Sequence, residues 1–211
     1  MRHSRLVLAT ALCSAVILSG QAGAAAPAPL VMPDAANDAN AVNDQIEEGV
    51  GVPVGSQPEK DFTSVKLEAI SVIKKKKRVC TGFTATLTLS GSPATANTIY
   101  RITGKSKVNA VLFWLFYDGT NTAMRIQEKP STAPSSVTIP LKKAAVIAGK
   151  TITITVTASD LKAANETVAG FNWGTLGAET RSSFVVPGVV SLTAPLWDSV
   201  SVDSAKTFAL C

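Results

Sequence analysis

Two segments alternate hydroxyl and apolar side chains with a strict period of two: Thr84-Ala85-Thr86-Leu87-Thr88-Leu89 and Thr151-Ile152-Thr153-Ile154-Thr155-Val156-Thr157. Successive side chains of an extended chain point to opposite faces, so each segment turns an apolar face inward and a threonine face outward. A helix, with its period of 3.6, would scatter the same residues around its circumference. These are half-buried strands, built from residue types that suit a pleated surface. The same reading predicts strands over 64–73, 97–103, 109–117, 122–128, 136–141, 182–190 and 199–203. Between them lie Ser90-Gly91-Ser92-Pro93, Gly104-Lys105, Asp118-Gly119-Thr120-Asn121, residues 130–134 and Ala148-Gly149-Lys150, all turn-forming. One short helix is expected over 159–168, with Ser159 as its N-cap. Eight or nine short strands leave no room for helical crossovers, so the expected fold is all-β, an antiparallel β-sandwich.

Within that frame, Val111-Leu112-Phe113-Trp114-Leu115-Phe116-Tyr117 is apolar on both faces. A strand of that kind is expected at the centre of a sheet and covered on both sides.

The N-terminus sets the compartment. Arg2 and Arg5 precede an apolar run from Leu6 to Leu18, followed by the small-residue site Ala22-Gly23-Ala24. This is the plan of a secretory signal peptide, and the run is too short to span a bilayer. Gln21 stands where a lipoprotein box needs cysteine. Residues 1–24 are therefore expected to be removed, leaving a secreted or periplasmic chain without a transmembrane segment. Residues 25–61 carry a net charge of −6, with no aromatic residue, and are expected to form a flexible acidic leader; residues 62–211 carry +9 and form the β domain.

Removal of residues 1–24 takes away His3 and Cys13 and leaves Cys80 and Cys211. Two cysteines in an oxidising compartment are expected to pair as one disulfide. The bridge would close a loop of 131 positions and fasten the chain end; pairing between molecules through Cys211 is the alternative.

Without a histidine in the exported chain, no Ser-His-Asp triad, Cys-His dyad or His-containing zinc site can be assembled. The two S-x-x-K strings, Ser71 to Lys74 and Ser159 to Lys162, match what chance supplies in this composition, and the companion S-D-N and K-T-G elements are missing. No phosphate-binding glycine loop of standard spacing occurs. Carboxylates remain: Glu68, Asp118, Glu128, Asp160, Glu166, Glu179, Asp198 and Asp203, with Trp173 and Trp197 to stack a sugar, are the raw material of a glycoside hydrolase. Eight acids and few spare aromatics make an enzyme the lesser expectation, with no catalytic residue, cofactor or metal assigned. Asp118 and Asn121 lack the alternating acids of a dedicated calcium loop and read as a hairpin turn.

The strongest positive feature is Lys74-Lys75-Lys76-Lys77-Arg78, at the junction of two strands. Five adjacent cations concentrate positive potential where acidic polymers can dock. Lys105, Lys107, Lys142 and Lys143 are candidates to extend the patch. No aromatic interleaves the run, so nothing points to nucleobase stacking. The competing reading is a lysine run that protects a sheet edge from aggregation.

The threonine-rich strands after the Ala-Gly-Lys turn resemble those of bacterial extracellular immunoglobulin-like modules over about twenty-five residues, 136–160. That resemblance implies an immunoglobulin-like or other Greek-key sandwich. The Cys-Trp-Cys spacing of antibody domains is absent, since Trp114 follows Cys80 by 34 positions and Cys211 lies 97 further on.

The sequence thus leads to a non-enzymatic binding module of the bacterial envelope or extracellular space. Its expected partners are acidic polysaccharide, lipopolysaccharide or another envelope protein. A structural, fimbria-like subunit is the alternative, because Gly49-Val50-Gly51-Val52-Pro53-Val54-Gly55 in the leader has the alternation of a donated strand, although Pro53 lacks an N–H.

Overall fold

The computed structural model describes residues 25–36, 57–106, 112–127, 136–182, 196–201 and 206–210. Among these, the chain forms β1 (Leu30–Pro33), β2 (Phe62–Lys74), β3 (Lys77–Leu89), β4 (Thr98–Ser106), β5 (Leu112–Tyr117), β6 (Thr122–Gln127), β7 (Ser136–Pro140), β8 (Val146–Ala148) and β9 (Thr151–Thr157). Helix α1 (Ala158–Ala163) follows, then β10 (Asn172–Ser182), β11 (Leu196–Ser201) and β12 (Thr207–Ala209). The strands pair antiparallel in two sheets. One has the order β1-β2-β3-β9-β8; the other runs β11-β10-β4-β5-β6-β7, with β12 added to β10.

The two threonine-alternating segments are neighbours. In β3 and β9, Phe83 lies opposite Val156, Ala85 opposite Ile154 and Leu87 opposite Ile152. All six are buried, whereas the intervening threonines are half-buried on the outer face. Their inward face meets an aromatic cluster carried mainly by the other sheet. Phe83 lies 5.2 Å from Phe171, 5.4 Å from Trp173 and 5.5 Å from Phe208 between ring centroids. A core of this kind, shared by two sheets, makes the molecule an all-β sandwich.

Polar groups join the layers. The first residue of β2, Phe62, donates its backbone N–H to Oδ2 of Asp198 on β11 at 2.6 Å, inside the protein. Tyr100 on β4 accepts from the Ala94 N–H at 2.7 Å and donates to the Glu59 carbonyl at 2.6 Å, which holds the turn leading into β2. Burial pushes the Tyr100 hydroxyl well above the usual phenol range.

Several elements differ from the sequence expectation. Leu30–Pro33, assigned above to the flexible leader, form β1 and pair with Ser64–Leu67 of β2. Met32 is 0% exposed there; one buried apolar side chain and four ladder positions make this segment part of the domain. The helix starts earlier and is shorter than 159–168. Thr157, not Ser159, is its N-cap: the Thr157 hydroxyl accepts from the Asp160 N–H at 3.3 Å, and the Asp160 carboxylate accepts from the Thr157 N–H at 2.8 Å. This reciprocal box satisfies two end groups at once and so outcompetes a lone serine. The strand expected over 182–190 is preceded by β10, which ends at Ser182; beyond that residue the expected segment lies outside the described residues, as do residues 1–24.

Candidate functional site

The lysine run occupies the tip of the β2–β3 hairpin. β2 ends at Lys74 and β3 begins at Lys77, so Lys75 and Lys76 alone form the turn. Their φ angles are 48° and 64°. A two-residue hairpin loop with both central residues at positive φ matches the right-handed twist of the strands, and Asn-Gly is the usual sequence because side chains crowd the backbone there. Lysine in the left-handed region costs about 1–2 kcal/mol per residue. Non-glycine residues at such angles are enriched at binding and switch sites.

The tip extends past its neighbours in the sheet. The last β1 partner of β2 is Leu67, and the β9 ladder on β3 stops at Gly82, opposite Thr157. Beyond these points no third described strand is paired beside Ser71–Cys80, Val72–Val79, Ile73–Arg78 and Lys74–Lys77. The resulting two-stranded ribbon is about 10 Å long before the turn, at the usual rise of a strand.

Paired residues share a face, so Val72, Val79, Lys74 and Lys77 lie on one side and Ser71, Ile73, Arg78 and Cys80 on the other. Lys74, Lys75, Lys76 and Lys77 are exposed, whereas Arg78 is half-buried, its guanidinium donating to the Ser71 hydroxyl at 2.7 Å. Sequence reasoning missed the apolar collar behind the charges: Val72 is 39% exposed, Ile73 58% and Val79 39%. The signal was present, because Val72-Ile73 and Val79 flank the cations directly.

At the root of the ribbon, Cys80 is buried, and its Sγ lies 2.7 Å from the Leu210 carbonyl oxygen. Cys211 follows Leu210 in the chain and lies outside the described residues. Lys142 stands at the same end of the sheet, since its N–H donates to Asp160 at 3.2 Å and Asp160 caps Thr157. Lys105 is on β4 of the other sheet, and Lys107 lies outside the described residues.

The other sheet carries a second cationic feature on its outer face. Contrary to the expected burial of β5 on both sides, Phe113, Leu115 and Tyr117 are buried, Leu112 is exposed, and Trp114 and Phe116 are half-buried. The Trp114 ring lies between two guanidiniums, Arg101 at 5.4 Å and Arg125 at 5.3 Å from the ring centroid. Cation–π contact with these two guanidiniums accompanies the partial burial of the indole. Glu179 forms ion pairs with Arg101 and, at 3.0 Å, with Arg181. Burial, with Arg181 and Arg125 nearby, lowers the Arg101 guanidinium to about 10, which leaves it charged at neutral pH.

Most of the described carboxylates named above are engaged in structural contacts. Asp160 caps α1, Asp198 binds the Phe62 N–H, Glu166 accepts from the Ser106 hydroxyl at 3.0 Å, and Glu68 pairs with Lys66 at 2.7 Å. Asp118 closes the β5–β6 turn by accepting from the Thr120 and Asn121 N–H groups at 3.0 and 2.6 Å. Trp173 is wholly buried in the aromatic cluster and so presents no face to a sugar. Glu128 and Asp203 lie outside the described residues, and the Trp197 side chain is likewise undescribed. Among the described residues no three His, Cys, Asp or Glu side chains gather as a metal site, and no helix is long and apolar enough to cross a membrane.

No family model, curated protein or solved structure matches the chain.

Proposed function

We propose that this chain is an exported, non-enzymatic binding module that docks on polyanions, acidic glycans or lipopolysaccharide among them, through the tip of the β2–β3 hairpin. The observation that carries this reading is the Lys75–Lys76 turn. Two lysines stand at left-handed φ where asparagine and glycine would be less strained, at the end of a ribbon that leaves the sheet. A run that only protected a sheet edge would need neither the strained turn nor the projection. The signal-peptide pattern of residues 1–24 supports export to the periplasm or beyond.

A disulfide between Cys80 and Cys211 belongs to the same reading, supported by the contact between Cys80 and Leu210. On the chain-entropy model it contributes about 4–5 kcal/mol. Electrophoresis with and without reductant is expected to show a monomer in both lanes, the oxidised one migrating faster; a dimer band that collapses on reduction would overturn the pairing. We read the strand path as a Greek-key variant, with β10 returning beside β4 after the β4-β5-β6 meander.

The test of the docking reading replaces Lys74, Lys75, Lys76, Lys77 and Arg78 together with glutamine and measures retention on immobilised dextran sulfate against salt. The expected result is earlier elution and a flatter salt dependence. An unchanged salt slope overturns it.

One observation favours assembly as a second reading. Leu30–Pro33, well separated in sequence from Phe62, form the edge strand of the five-stranded sheet, which is the contact that a strand exchanged between copies would reproduce. Size-exclusion chromatography decides between the two: monomers for both the exported chain and a version beginning at Gln57 would remove strand exchange.

A further inference from the structure

We infer that the outer face of the seven-stranded sheet holds a second binding site, a cleft that takes a hexuronate residue of an acidic polysaccharide. The site is built by β5, β6, β7 and the links that border them, so it stands without the lysine tip of the β2–β3 hairpin. The cleft has a volume of about 560 Å³, within the range of about 300–1,000 Å³ usual for small-ligand sites.

One side of the cleft is apolar and its rim is polar. Phe116 on β5, Ala123 on β6 and Pro140 on β7 pair in one row across the sheet and line the cleft together. Paired residues share a face, and Phe116 stands between the buried Leu115 and Tyr117, so the row faces outward. Asp118, Asn121, Thr138 and Lys142 line the same cleft. The last three are exposed, so the cleft opens to solvent along them. A pyranose ring has the matching asymmetry: a face of C–H groups that suits the electron-rich face of a phenyl ring, and an edge of hydroxyls that needs both donors and acceptors.

The walls are fixed before any ligand arrives. The Tyr117 hydroxyl donates to the Gly119 carbonyl at 2.8 Å, and a Cβ on Gly119 would overlap the Thr95 carbonyl, so the β5–β6 turn is tightly seated. On the other link, the Leu141 N–H donates to the Thr122 carbonyl at 2.9 Å, the Ala145 N–H to the Thr122 hydroxyl at 2.9 Å, and the Lys142 N–H to Asp160 at 3.2 Å. A site held in this way loses little freedom on binding.

The polar groups select the ligand. Asp118 commits Oδ1 to the Thr120 and Asn121 N–H groups, whereas Oδ2 meets the Asn121 amide at 3.4 Å, a long contact that leaves lone pairs for a ligand hydroxyl. Lys142 adds a cation, and Arg125, the ladder partner of Thr138, is exposed on the adjoining row. A phosphate ion would use Lys142 and leave both the apolar row and the Asp118 acceptor without partners. A hexuronate meets the whole set: its carboxylate suits the cations, its hydroxyls Asp118 and Asn121, and its C–H face Phe116.

The test is isothermal titration calorimetry of the full exported chain with trigalacturonate and with maltotriose, a neutral trisaccharide, at near-physiological salt. We expect trigalacturonate to bind, and maltotriose to bind about tenfold more weakly. Phe116→Ala removes the stacking ring and should weaken both sugars. Lys142→Gln, at an exposed position whose backbone bond to Asp160 is kept, should lower trigalacturonate affinity about tenfold and leave maltotriose unchanged. No binding of trigalacturonate, or equal affinity for it in the parent and Lys142→Gln, would overturn the inference. The variant with Lys74–Arg78 replaced by glutamine separates the two sites. It should keep its affinity for trigalacturonate, and loss of that affinity with the hairpin cations would overturn the cleft as the site.

Discussion

A Cβ atom on Gly82 would stand 2.1 Å from the carbonyl oxygen of Val156, so β3 touches β9 at a point where only glycine fits. Gly82 also has a φ of +148°, closed to other residues. Here the ladder slips: Ile70 pairs with Gly82, the next pair is Ser71 with Cys80, and Thr81 is left over as a bulge. A bulge bends its strand and increases the local twist. The bend thus falls at the residue where the β9 ladder on β3 ends.

The substitution Gly82→Ala is expected to cost about 2–4 kcal/mol, through backbone strain together with a clash that only movement of β9 relieves. Urea unfolding followed by fluorescence measures it. A loss below about 1 kcal/mol would mean that the two strands separate readily, and that the root of the hairpin is not fixed.

The strained turn gives the opposite sign. Replacing Lys75-Lys76 with Asn-Gly places residues suited to positive φ at both positions and should stabilise the domain by about 1–2 kcal/mol, read as a higher thermal midpoint. The same variant removes two cations from the tip and should weaken dextran sulfate binding. Stability gained with binding lost is the trade expected where a site holds strain for function; a variant that gained stability and kept its full affinity would show that the two lysines serve neither.

The strands that sequence reading found are those whose partners are of one kind along their length. β3 and β9 keep a period of two because each inward residue meets the same core. β10 was missed for a physical reason: its register shifts between Gly174 and Gly177, so Trp173 and Gly174 are buried side by side before Leu176, Ala178 and Thr180 resume the alternation, and the period is broken by the bulge. β1, β8 and β12 have three or four residues, too few to show any period. The cover over Trp114 depends on Arg101 and Arg125 from adjacent strands, and nothing local to β5 could reveal them. Of the hairpin, the charges were legible and the turn position nearly so. Its projection was not, because that depends on where β1 and β9 stop.

The β5–β6 turn should make stability depend on pH at the acid end. Burial alone would raise the Asp118 carboxyl, but hydrogen bonds from the Asn121 and Thr120 N–H groups and the Asn121 side chain outweigh it and hold the group below the usual carboxylate range. Folding thus favours the ionised form. Its contribution is present above the unfolded value, about pH 4, and is lost as pH falls through the lower folded value. Asp118→Asn keeps a turn-forming side chain and removes the titration. Urea midpoints of the two proteins should differ at about pH 6 and draw together as pH falls below the folded value; a gap that stayed constant on acidification would exclude Asp118 as its source.

The clamp on Trp114 can be tested by removing one side of it. Arg125→Ala takes away the exposed guanidinium that stands 5.3 Å from the ring centroid and leaves Arg101, which is held by Glu179. A surface cation–π pair contributes about 0.5–1 kcal/mol, so the stability loss should be small. The change in access should be larger. Acrylamide quenching of the Trp114 signal, isolated by subtracting a Trp114→Phe background, is expected to rise in Arg125→Ala while Trp173, buried in the core, stays protected. Arg125→Lys should restore only part of the protection, because an ammonium group lacks the flat guanidinium that lies over the ring. Equal quenching in all three proteins would mean that Arg125 does not cover the indole, and that the outer face of β5 is shielded by something other than these arginines.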